Sequence, residues 1–163
     1  MKTAREFVLP PPGAPHWLPP GEPPGGLLYL AWGRRQYGRN PIPPRMHHGW
    51  SYIAVASGQP VFLAGAHRQA LRPGTLVVAG PDVPYGWEDR RGASCELLVW
   101  AWSVAPSFEG QLRERTCWIR RGSEETLEEL RALHRMARRE TQGADSRSPR
   151  LLVALHVMLD AAF

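Results

Sequence analysis

The chain is predicted to be mainly β, a small barrel or sandwich followed by two helices. Three observations carry this expectation. Short apolar runs rich in β-formers recur at hairpin spacing between residues 45 and 104. Pro and Gly punctuate them, as at Ser57-Gly58-Gln59 and Pro73-Gly74. Beyond Ser123 the apolar period changes from that of strands to that of helices.

The N-terminal segment comes first. Residues 1–44 hold eleven of the seventeen prolines. Proline fixes φ and has no N–H to donate, so residues 9–26 are expected to be extended and wrapped on the body, with Trp17 and Leu18 as pins. Leu27–Trp32 is the expected first strand, and Asn40–Pro44 a second rigid connector.

Ser51–Ala56 and Val61–Ala64 are predicted strands joined through Gly58, with a turn around Gly65-Ala66-His67. A short strand follows at Gln69–Leu71, then Thr75–Ala79 after the Pro73-Gly74 turn. Pro81–Gly86 reads as a loop and Glu96–Trp102 as the last strong strand. In the helical part, Ser123 is a capping hydroxyl with Glu124 and Glu125 in the first turn. Leu127, Leu130, Leu133 and Ala137 then fall on one face, and Gly143 is the expected stop. Ser148-Pro149 opens a second helix, apolar over a wide arc at Leu151, Leu152, Leu155, Met158 and Leu159. So wide an arc needs a partner, from the barrel, a second subunit, or both.

Composition narrows the function classes. A length of 163 residues suits one domain able to bury a core without staples. Cys95 and Cys117 make no disulfide framework and suit a reducing compartment. No stretch reads as a signal peptide or membrane span, so the cytoplasm is the expected compartment. The net charge of +5 comes from nineteen arginines and one lysine, scattered in ones and twos beside turns and acids. That pattern suits a solvated surface better than a nucleic-acid face. Nucleophile elbows, phosphate-cradling glycine loops and CxxC pairs are all missing from the sequence.

Two groups of residues stand out. His47 and His48 are adjacent, so on a strand only one can enter the barrel. A first-row metal needs three or four ligands, and partners for such a site are not evident, so neither a metal nor another cofactor is expected. Four of the seven tryptophans cluster at Trp50, Trp87, Trp100 and Trp102. Flat indole faces suit apolar, sugar or cationic ligands, and equally suit a barrel core.

At these residues the chain resembles the cupin-type sensor domain at the N-terminus of AraC-type transcription regulators. The segment His47-His48-Gly49-Trp50-Ser51, with Gly58 seven residues later, is similar to the family's first motif. Pro73-Gly74, Thr75–Ala79 and Pro81-Asp82-Val83-Pro84-Tyr85 are similar to its second. The resemblance covers about residues 27–163 and implies a double-stranded β-helix, or jelly-roll barrel, with two C-terminal helices. It divides the chain into a Pro-rich arm with the first strand (1–44), a cupin-like barrel core (45–106), and a connector with a two-helix dimerisation segment (107–163). Relative to the metal-binding pattern, Arg45 replaces the first His, Ser51 the Glu, and Tyr85 the final His, leaving His47 alone.

The resemblance implies a bacterial sensing and dimerising domain rather than an enzyme. Its small-molecule effector is expected to be a sugar, an aromatic compound or an anion. The expected site residues are Arg45, His47, Trp50, Ser51, Tyr85, Trp87, Trp100 and Trp102. The homodimer is expected to form through Leu151, Leu152, Leu155, Met158 and Leu159, and DNA to be read only by a domain absent from this chain. Two strand registers stay open: one puts Arg45, His47, Gly49 and Ser51 inside, the other His48, Trp50 and Tyr52. A metal-dependent cupin isomerase or dioxygenase is the alternative function. A barrel filled by its own tryptophans, acting only in dimerisation, is a third reading.

Overall fold

A computed structural model of the chain describes residues 10–89, 93–108, 110, 117–142 and 148–163. Its strands are β1 (His16–Trp17), β2 (Leu27–Ala31), β3 (Arg34–Arg35), β4 (Ile42–Arg45), β5 (Trp50–Ser57), β6 (Val61–Ala64), β7 (His67–Ala70), β8 (Thr75–Ala79), β9 (Tyr85–Glu88), β10 (Cys95–Trp102) and β11 (Trp118–Arg121). Two helices follow, α1 (Glu124–Gln142) and α2 (Pro149–Ala162). The larger sheet runs β1-β2-β10-β5-β8-β11, with β3 also paired to β10. The smaller runs β4-β9-β6-β7. All pairs are antiparallel. The mainly β jelly-roll expectation with two terminal helices holds.

Alternation along β5 and β10 decides where the core sits. Ser51, Ile53 and Val55 face one side, and Tyr52, Ala54 and Ala56 the other. Opposite residues in register share a face, so Trp100 sits with Tyr52 and Ala101 with Ser51. The inner set joins Phe62, Tyr85 and Trp87 of the smaller sheet in one apolar cluster. The outer set joins the buried faces of both helices in a second cluster. The larger sheet is therefore buried on both sides.

The helices start as the sequence dictates. The Ser123 hydroxyl accepts from the Thr126 N–H at 3.0 Å, and the Ser148 hydroxyl accepts from the Leu151 N–H at 3.3 Å. Each cap satisfies one N–H that the helix cannot. Leu127, Leu130, Leu133 and Ala137 of α1 are buried, as their spacing predicts. The expected stop at Gly143 lies outside the described residues. Arg120 Nη2 donates to the Ala162 carbonyl at 2.7 Å, placing a cation at the C-terminus of α2, where the dipole favours it.

Four local expectations change. Asn40–Pro44 was expected to be a connector, yet Ile42–Arg45 is a strand. It lies at the edge of its sheet, where prolines without N–H groups cost nothing in the ladder. Gly86 suggested a loop but lies within β9. A Cβ there would lie 2.3 Å from the Ile42 carbonyl oxygen, so glycine lets β4 come close. His67 opens β7 rather than sitting in a turn. Strand β11 was not anticipated, because Trp-Ile-Arg-Arg lacks an alternating pattern. The two sheets also include β1, β2, β3 and β11, and all of β4 but Arg45, from outside residues 45–106.

The expected dimer face needs correction. Leu152, Leu155 and Leu159 are buried against this chain's own sheet, at 0%, 2% and 1% exposure, and Leu151 is half-buried against the same cluster. Their wide arc found its partner within the chain because the outer face of β5 and β10 is itself apolar. Of the five expected residues, Met158 is the exposed one, at 47%. Leu155→Ala should therefore lower the unfolding free energy by about 2–5 kcal/mol, while Glu129→Ala on the exposed side of α1 changes it by less than about 0.5 kcal/mol. Urea denaturation followed by circular dichroism measures both.

Candidate ligand site inside the barrel

The barrel interior is mostly filled by rings. Phe62 lies against Tyr85 and Trp87, with centroids 5.6 and 5.0 Å apart. Trp87 stacks on Tyr37 at 5.7 Å and 15°. Beside these rings remains a cavity of about 20 Å³ whose lining includes Tyr29, Arg35, Tyr37, Tyr85, Trp87 and Val99. Pro10, from the Pro-rich segment, also lines it. That volume holds about one water molecule.

Arg35 is the charged group of this lining. Its side chain is 3% exposed. Nη1 donates to the carbonyls of Trp32 at 2.6 Å and Gly33 at 2.7 Å, while Nη2 is buried without an acceptor. Burial pushes the hydroxyl pKa of Tyr29, Tyr37 and Tyr85 well above the usual tyrosine value. The Arg35 charge pulls Tyr29 and Tyr37 back only in part. All three hydroxyls stay protonated at neutral pH, so none of them neutralises the guanidinium.

A second polar cluster stands on the same inner face. The Tyr85 hydroxyl donates to Ser51 Oγ at 3.1 Å. Ser51 Oγ lies 3.5 Å from His47 Nδ1. The His47 ring sits edge-on to Tyr85, with centroids 4.5 Å apart. His47 Nε2 is buried and lacks a partner, while Nδ1 lies against the Ser51 hydroxyl. Gly49 makes the turn between His47 and Ser51 at φ 106°; a Cβ there would come within 2.5 Å of the Trp102 carbonyl oxygen.

The sequence-predicted residues divide cleanly. His47, Ser51, Tyr85 and Trp87 are brought together inside the barrel. This is the register with Ser51 inward; the alternative, with Trp50 and Tyr52 inside, is overturned because both belong with the outer cluster. Trp100 and Trp102 are also on that outer side, packed against His134 and His156 of the helices. They share a face as their spacing required, but it is the helix-covered face. Trp50 is half-buried there, against Gly80. Arg45 is exposed on edge strand β4, so it lies apart from the cavity.

Sequence reasoning missed Arg35, Tyr37 and Tyr29. One signal was present: adjacent arginines on a strand point to opposite faces, so one of Arg34-Arg35 had to turn inward. Arg34 is exposed and Arg35 buried. Among the described residues, no three His, Cys, Asp or Glu side chains group as a metal site requires. The thiols stay protonated: burial pushes Cys95 up to about 11 and Cys117 up to about 12.

Comparison with known proteins supports the fold. Apo ToxT K231A from Vibrio cholerae matches with a TM-score of 0.55 and 6% identity, over 82% of this chain and 54% of that one. A second ToxT structure matches with a TM-score of 0.52 and 7% identity, over 78% of this chain and 52% of that one. The chain thus spans about half the length of ToxT. A cupin 2 conserved barrel domain protein from Salinispora arenicola also matches, with a TM-score of 0.46 and 13% identity, over 55% of this chain and 73% of that one. Family models were searched without a match, and curated proteins likewise gave none. The chain has a cupin-like double-stranded β-helix fold.

The buried histidines set the acid response. Burial holds His47 and His134 down to about 4 and lowers His156 as well. Each group binds its proton more weakly folded than unfolded, so its contribution is complete above the unfolded value near 6.5. For His47 and His134, stability is then lost as pH falls from about 6.5 toward 4, at up to about 1.4 kcal/mol per pH unit each; His156 acts in the same direction. His134→Gln should flatten the slope of unfolding free energy against pH by about one histidine's share in this window. Denaturation series between pH 7 and 4.5 read this directly.

Proposed function

We propose that this chain is the small-molecule-sensing and dimerising domain of an AraC-type transcription regulator. The observation that carries the reading is the cavity inside the barrel, lined by tyrosines, Trp87 and a buried guanidinium with an unused donor. A domain built only for support would be expected to fill this space with apolar side chains. The likeness to ToxT, an AraC-family regulator, supports the same reading.

Dimerisation belongs to the exposed side of α2. Val153, Val157 and Met158 are 51%, 63% and 47% exposed, and Ala154 and Ala161 share their face. Exposed apolar residues aligned on one helix face suit a symmetric contact with a second copy. The effector enters the barrel, and DNA is read by a helix-turn-helix domain joined to this one. The cytoplasm is the compartment that fits such a regulator.

A reporter tests this role. The chain fused to a DNA-binding domain that works only as a dimer should repress its operator. Val157→Glu should abolish repression and convert the protein to a monomer in sedimentation velocity, with its circular dichroism unchanged. A wild-type monomer at 50 µM, with an inactive fusion, would sink the reading.

A further inference from the structure

We propose that Arg35 is the anchor of a carboxylate site inside the barrel, and that the ligand is a small organic acid with an apolar or aromatic body. This rests on the sensing role proposed above and names its ligand class. A guanidinium carries five donors and cannot be neutralised by losing a proton. Buried at 3% exposure, it needs acceptors of opposite charge or a full set of neutral ones. The protein supplies two carbonyls, both to Nη1. Nη2 has no acceptor, and the ion pairs found among the described residues leave Arg35 without a carboxylate.

The two carbonyl bonds do more than satisfy Nη1. They come from Trp32 and Gly33, immediately before β3, and fix the guanidinium plane before any ligand arrives. Such pre-organisation reduces the entropy lost on binding. The other walls have the same preference. Tyr29, Tyr37 and Tyr85 present neutral phenols, and no lining residue is acidic. His47 Nε2, beside Tyr85, is a second buried nitrogen without a partner, and a donor in the tautomer whose Nδ1 accepts from Ser51. The interior therefore has unused donors and a fixed positive charge, which a carboxylate complements.

Size and wall chemistry narrow the class. The cavity, about 20 Å³, has room for one water, which a carboxylate group would replace. The body of the acid exceeds that space, so it enters only if the lining around Pro10, Ile42 and Ile53 opens. A phosphate is bulkier, and its second charge would be costly to desolvate among apolar walls.

Titration calorimetry and thermal melts with sodium benzoate, acetate, benzamide and glucose test the proposal. Benzoate should bind and raise Tm, whereas its neutral isostere benzamide should bind at least about tenfold more weakly. Arg35→Met should abolish benzoate binding, and Arg35→Lys, which keeps the charge but loses the fork, should weaken it by about tenfold or more. If Arg35→Met does not fold, the benzoate-to-benzamide ratio on the wild type decides alone. Equal binding of benzamide, or benzoate binding that survives Arg35→Met, overturns the proposal. Failure of both acids at 20 mM overturns it too. Glucose binding that is indifferent to Arg35→Met would overturn the acid class and leave the sensing role standing, since a small molecule would still bind; the reporter reads dimerisation separately.

Discussion

The structure depends on one constraint: strands β5, β8 and β10 are apolar on both faces. Alternation sends Ile53, Val77 and Val99 into the barrel and Tyr52, Val78 and Trp100 toward the helices. Neither layer can be removed without exposing the other side of the same strands. Barrel and helices are thus one cooperative core in which the sheet is the shared middle layer.

The polar contacts across this middle layer are few and directed. The Tyr52 hydroxyl donates to Asp160 Oδ1 of α2 at 2.9 Å, and Asp160 Oδ2 accepts from the Ser107 N–H at 2.9 Å. His134 of α1 reaches the carbonyls of Ala31 and Val99 at 3.1 and 3.3 Å through Nε2. Ala31 and Val99 also line the barrel cavity. Two residues therefore touch the cavity with their side chains and α1 with their backbone. A change inside the barrel has a path of bonded groups to the helix layer, and that path is only one strand thick.

The helix layer is held by packing and reinforced by arginines. Arg131 Nη2 donates to the Ala56 carbonyl at 3.2 Å. Arg138 lies over the Trp32 ring at 4.2 Å, a contact worth about 1 kcal/mol. These positions explain part of the basic composition: several arginines tie helices to strands. Arg35 differs from them because its whole side chain is buried, at 3% exposure, beside the cavity; a buried nitrogen without a partner it shares with Arg138, at Nε.

The sequence by itself determined most of the elements and both helix starts, and left the inward face of β5 open between two registers. Hydrophobic alternation, Pro-Gly turns and serine caps act over a few residues, so they are legible locally. It also determined that Trp100 and Trp102 share a face and that α2 needed a partner. Which face and which partner were decided only by the tertiary structure, because both sides of the large sheet are apolar and periodicity cannot rank two equally apolar sides. The same holds for Leu152, Leu155 and Leu159, whose burial depends on the sheet they meet. Arg35 and Tyr37 stayed hidden because their role comes from strand β3 and the following turn closing over the barrel, an arrangement set by pairing with a strand some sixty residues away.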